Sequence, residues 1–204
     1  MRREKELKSI HPYKPFIPVD SNKLIIGTIP PPRFCTQYKE IYKEDVNFYY
    51  GSRDNAFWPI IENVFDIELE YSNSKKAISE RKNFLTKHGI GISDIIDKCI
   101  HKNDSAADED LTNIEHKDLG ELLRKNPQIS ILIYTSEFVK KQMNLHFNTY
   151  HSINKENRKI QSIIINGTKY NVRILYSPSP NALRNLGKQG SKKREKQYKE
   201  FILE

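Results

Sequence analysis

The chain has 204 residues, enough to bury one core without disulfides or metals. Its 37% hydrophobic and 29% charged residues exclude a disordered chain and point to a single globular domain over 1–204. The net charge of +8 makes a polyanion such as nucleic acid a natural partner, while two widely separated cysteines, Cys35 and Cys99, exclude a disulfide framework and a four-cysteine cluster and fit a reducing cytoplasm.

In chain order, residues 1–10 are basic but include Glu4 and Glu6, and no apolar run long enough for a signal peptide follows. No segment reads as a membrane span. The first strand signal is KLIIGTI, Lys23–Ile29, which runs into Pro30, Pro31 and Pro32. Helical patterns span Ala56–Val64 and Asn73–Lys87, and a shorter strand is predicted in GIGISDII, Gly89–Ile96. Asp104–Glu121 is acidic. A helix over Lys117–Asn126 precedes the strand ISILIYTS, Ile129–Ser136, and another follows over Glu137–Phe147. A hairpin is predicted across Ile160–Tyr176, turning at Asn166-Gly167 and feeding a last core strand at Val172–Ser177. The chain closes on a short basic helix bearing Lys188, Lys192, Lys193, Arg194, Lys196 and Lys199. That helix either tracks a nucleic-acid backbone or is a solvated helix anchored by Tyr198, Phe201 and Ile202.

Strands alternating with helices imply a parallel sheet covered on both faces, a three-layer α/β/α sandwich about a central four-stranded, mostly parallel sheet. Ligands of such a sheet bind at the carboxyl ends of its strands. There lie TIPPPRF after the first strand, Ser93-Asp94, Thr135-Ser136, and SPSPNALRN at 177–185. None is a Walker loop or a GxGxxG turn, which argues against nucleoside-triphosphate and dinucleotide enzymes.

Three segments, Gly27-Thr28-Ile29-Pro30, FYYGSRDNAFW (48–58) and SPSPNA (177–182), together resemble the uracil-DNA glycosylase superfamily, most of all its hypoxanthine/uracil branch. The resemblance runs from Lys23 to Ala182, and the segment from Tyr49-Tyr50 to Trp58 is its specific part. It implies a uracil-DNA glycosylase-like fold and removal of a deaminated base that has been flipped out of DNA.

Cleaving an N-glycosidic bond builds positive charge on the sugar and negative charge on the departing base, so the site must stabilise both and place a water. The resemblance gives Asn55 the catalytic role; the alternative is that Asn55 caps the helix beginning at Ala56. Tyr50 matches the aromatic on which the flipped base stacks, an interaction worth roughly 1–3 kcal/mol per base. Asp94 matches a base-reading position and would accept a ring N–H, or else it caps a turn at Ile95. Gly27, Thr28 and Ile29 complete the base-binding set. Ser177 and Ser179 are placed to hold a phosphate, and Asn181, Leu183 and Arg184 lie where the superfamily carries its intercalating loop.

Three departures stand out. Ile29 takes the position where most superfamily members carry a catalytic Asp or Asn, an absence shared with the hypoxanthine branch. The consecutive prolines 30, 31 and 32 remove three backbone donors. Ser177 stands in place of the usual His. The expectation is a monomeric, monofunctional glycosylase acting on DNA, cytoplasmic, with no metal, no cofactor and no membrane contact. The rivals are an inactive superfamily member that binds nucleic acid and a small-molecule N-glycoside hydrolase or unrelated α/β enzyme.

Overall fold

The computed structural model describes residues 6–36, 40–102, 105–150, 153–154, 156–179, 182 and 186–204. In its first half run β1 (Glu6–Ile10), β2 (Lys23–Gly27), α1 (Pro32–Cys35), α2 (Phe57–Phe65), α3 (Lys75–Lys87), β3 (Ile90–Asp94) and β4 (Ile96–Lys102). A 3-10 turn at Asp108–Asp110 leads into β5 (Leu111–His116). After it come α4 (Leu119–Lys125), β6 (Ile131–Tyr134), α5 (Glu137–Phe147), β7 (Lys159–Ile165), β8 (Thr168–Ile174) and α6 (Gly190–Leu203).

The central sheet has the order β3-β2-β6-β8-β7, with the first four strands parallel and β7 antiparallel. It is therefore five-stranded and mixed, not four-stranded. The extra strand comes from the Asn166-Gly167 hairpin: φ of 50° and 81° at its two central residues gives the left-handed geometry that a two-residue hairpin turn needs.

Side chains alternate across the sheet, so a fully apolar strand feeds two cores. Leu24 and Ile26 of β2 enter one apolar cluster and Ile25 enters the other, all three with no exposure. On one face α2, α3 and α6 contribute Phe57, Trp58, Leu85, Tyr198 and Phe201. On the other, α4 and α5 contribute Leu119, Leu123, Val139 and Met143. The result is three layers. Ser74, Asp118 and Ser136 start α3, α4 and α5 by accepting backbone N–H groups of the first turn, the duty their short oxygen-bearing side chains suit.

A second sheet, β1-β4-β5, is antiparallel and has no counterpart in the sequence reading. Ile95 alone separates β3 from β4, so GIGISDII runs out of one sheet into the other. Ile10 of β1 pairs with Lys98, and the next residue, His11, donates its backbone N–H to Asp97 at 2.8 Å. This pairing carries residue 11 to the carboxyl end of β3. No helix among the described residues is long and apolar enough to cross a membrane.

Candidate active-site cleft

The carboxyl ends of β2, β3, β6 and β8 open into a cleft of about 890 Å3, the location expected of a parallel sheet. Thr28, Ile29, Asp94, Ser177 and Ser179 line it, joined by Tyr50 and Asn55 from the segment preceding α2. Asn181, Leu183 and Arg184 lie outside the described residues. Gly27 sits behind the wall: a Cβ there would run into the Asp94 carboxylate and the Tyr50 hydroxyl, so only glycine lets the two side chains meet over β2.

Tyr50 has φ of 55°, an uncommon left-handed conformation for an aromatic residue, costing about 1–3 kcal/mol that the surrounding contacts must offset. Its ring stacks on Phe57 at 4.5 Å, and its hydroxyl donates to Thr135 Oγ1 at 2.9 Å. Burial first, and then the charge of Asp94, push its pKa far above the ordinary tyrosine value, so its hydroxyl stays neutral. The segment around it is bolted down. Trp58 Nε1 donates to the Tyr49 carbonyl at 2.8 Å, and the Ala56 N–H donates to the Pro178 carbonyl at 3.0 Å, tying the segment to the SPSP loop.

Ala56, not Asn55, is the N-cap of α2; Asn55 stands one residue before it, and its Oδ1 accepts the Phe57 N–H at 2.9 Å in a turn leading into the helix. This bond fixes the amide plane and leaves Nδ2, a donor that does not titrate, as the end of the side chain without a bond among the described residues. That turn bond and a role in the cleft are thus compatible.

Asp94 is 4% exposed, and its Oδ2 receives a 2.8 Å hydrogen bond from His11 Nε2. The chain continues into β4 after Ile95, so Asp94 caps no helical turn. His11, 83 positions away in sequence, was not foreseen. No local pattern marks it, because only the β1–β4 pairing brings it there.

A second unforeseen residue is Asp108, a carboxylate that lies half-buried on the cleft wall beside the Thr28 side chain. Burial raises its pKa to about 6; the Thr28 side chain opposes this, while Glu109 and Asp94 add to it. Arg158 is a third. At φ of 53° it donates to the Ile174 and Leu175 carbonyls, pairs with Glu137 at 2.9 Å, and so closes the end of β8.

Asp45 holds the FYYG segment from below. With no exposure, it accepts from Arg33 at 2.7 and 3.0 Å and from the backbone N–H groups of Tyr42 and Arg53. Burial alone would raise its pKa, but the Arg33 bond and the two N–H groups outweigh burial and lower it. Asp45→Ala should cost about 3 kcal/mol in urea unfolding, because Arg33 loses its main partner. A depressed pKa stabilises the fold above the unfolded aspartate value of about 3.9 and stops doing so as pH falls through the folded value. Asp45→Asn should therefore flatten the loss of stability on acidification below roughly pH 4, a change that thermal melts across that range would detect.

α6 clasps the last loop. Gln197 accepts the Tyr176 N–H and donates to the Ile174 carbonyl, Tyr198 donates to the Tyr176 carbonyl, and Arg194 reaches the Ser177 carbonyl at 3.2 Å. Tyr198, Phe201 and Ile202 are buried, whereas Lys192, Lys193, Lys196 and Lys199 are exposed. One face of the helix is core and the other is a basic surface beside the SPSP loop.

Among the described residues no lysine lines the cleft, and no group of three His, Cys, Asp or Glu side chains is placed to hold a metal ion. Burial pushes both thiols up, that of Cys99 to about 11, so neither is poised as a thiolate nucleophile.

No protein-family model and no curated protein matches the sequence. Among solved structures, the chain is similar to the solution NMR structure of a "putative Uracil DNA glycosylase" from Methanosarcina acetivorans, with a TM-score of 0.56 and 14% identity over 96% of this chain and 99% of that one. An α/β sandwich with its cleft at the carboxyl ends of β2, β3, β6 and β8, matched over nearly the full length of both chains, gives this protein a uracil-DNA glycosylase-like fold.

Proposed function

We propose that this protein is a monofunctional DNA glycosylase of the hypoxanthine/uracil type, which flips a deaminated base out of DNA and hydrolyses its N-glycosidic bond. The convergence of Tyr50, Asn55 and Asp94 on one cleft carries this reading, since those side chains come from two distant segments and meet at a single cavity. The Tyr50 ring, backed by Phe57, offers a stacking platform; Asp94, oriented by His11, offers an acceptor for a ring N–H; and Asn55 Nδ2 offers a neutral donor to the water or the base. Without a lysine on the described cleft wall, water is the nucleophile rather than an enzyme amine. The similarity to the Methanosarcina structure supports the same reading at the level of the fold.

The interior of the cleft is acidic, so DNA phosphates must be met elsewhere. Ser177 and Ser179 at the rim and the exposed lysines of α6 are suited to that role. Base release from duplexes and single strands carrying uracil, hypoxanthine or xanthine tests the activity; no release from any of them would sink it. The DNA contact makes its own prediction. Changing Lys192, Lys193 and Lys196 together to Glu should weaken DNA binding at least tenfold at low salt and flatten its salt dependence, as read by fluorescence anisotropy. A second reading, an inactive superfamily member that binds nucleic acid, draws on the prolines at 30, 31 and 32, which deny the first turn three backbone donors. DNA binding without base release would favour it.

A further inference from the structure

Hydrolysing a glycosidic bond requires negative charge near the developing sugar cation and an acceptor for the water's proton. Asn55 supplies neither: its amide does not titrate, and its Oδ1 is occupied by the Phe57 N–H. The first turn offers only Ile29 where a polar side chain would serve. Five carboxylates line the cleft: Asp54, Asp94, Asp108, Glu109 and Glu137. Asp54 is paired with Arg33, Asp94 with His11 and Glu137 with Arg158, and Glu109 is exposed. Asp108 is half-buried and, among the described residues, has no ion-pair partner; it lies beside Thr28, next to Ile29 in the first turn.

We propose that Asp108, delivered by the β4–β5 connection of the second sheet, is the catalytic carboxylate of this cleft, stabilising the sugar cation and accepting the proton of the attacking water. The inference rests on the glycosylase reading above. The C1′–N bond breaks with its electron pair leaving on the base, and the water oxygen bonds to C1′. Asp108 takes the water's proton, and the base anion is protonated from solvent. The groups facing Asp108 are the Thr28 side chain, Glu109 on its own turn, Asp94 from β3 and the Tyr50 hydroxyl. Burial, with Glu109 and Asp94, places its titration at about 6, so it is a carboxylate at neutral pH yet basic enough to take a proton.

The test is single-turnover base release by the full chain on the best lesion from the panel, comparing wild type, Asp108→Asn and Asp108→Glu between pH 5 and 8. Asp108→Asn, which keeps the size and polarity of the side chain, should release base at least 100-fold more slowly and lose the acid limb that wild type shows near pH 6. Its affinity for a duplex carrying a reduced abasic site should be unchanged or tighter, since a negative charge is removed. Asp108→Glu should restore part of the rate together with the acid limb. Wild-type-like rate and pH profile in Asp108→Asn would overturn the assignment while leaving the glycosylase reading intact. A loss of rate matched by lost DNA affinity and a lower melting temperature would make Asp108 a structural tether, also overturning it. A wild type silent on the whole panel would bring down the glycosylase reading and this assignment together.

Discussion

Asn55→Asp is expected to abolish base release while leaving stability almost untouched. The carboxylate still accepts the Phe57 N–H that Asn55 Oδ1 accepts at 2.9 Å, so the turn into α2 survives, but the Nδ2 donor is gone. Removing one preorganised donor from a site of this kind costs about 100- to 1,000-fold in rate. Asn55→Ala should lose both functions, the same rate plus about 1 kcal/mol of stability from the lost hydrogen bond to Phe57. Comparing the two variants by single-turnover kinetics and thermal unfolding separates the catalytic role from the structural one. An Asn55→Asp protein with the wild-type rate would reduce Asn55 to a turn residue at the start of α2.

The second large effect is expected at Gly27. An alanine Cβ there collides with the Asp94 carboxylate and the Tyr50 hydroxyl, and neither can retreat freely. Asp94 is held by His11 at 2.8 Å; Tyr50 is held by Thr135 at 2.9 Å and by its stack on Phe57. Overpacking of this kind costs about 1–3 kcal/mol, and any relaxation displaces the proposed base-reading acceptor or the stacking platform. Gly27→Ala should thus unfold at lower urea and lose more than 100-fold in base release, because displacements of about 1 Å at a positioned site have that effect. A variant with native activity would show that the floor of the cleft is more pliant than these paired contacts imply. Both predictions concern the same physical feature, a wall whose side chains hold one another in place.

Much of this site could be read from the residues, for reasons that were local. An Asn followed by a helical run marks a helix start, and the structure has Asn55 just ahead of the N-cap Ala56, accepting the Phe57 N–H. β-branched runs marked β2, β6 and β8, and the rule that parallel sheets bind ligands at their carboxyl ends led to Thr28, Asp94 and Ser177 without coordinates. The Asn-Gly turn gave the hairpin, although not the fact that its first strand would pair into the central sheet and make it five-stranded.

The second sheet was not legible. Its strands are partly exposed and rich in charge: β4, IDKCIHK, mixes buried with partly exposed positions and carries none of the continuous apolar signal of β2. Its pairings are non-local as well, since β1 meets β4 across about ninety residues, and no window of sequence contains both.

The sequence by itself determined the parallel strands, their covering helices, and the polar residues that follow each strand, because these depend on periodicity and turn chemistry within short windows. Tertiary structure alone decided that β1 delivers His11 to Asp94 and that the β4–β5 connection lays Asp108 against Thr28. Both depend on pairing between distant segments. Burial and neighbouring charge, which set the chemistry of a carboxylate, exist only once those segments meet.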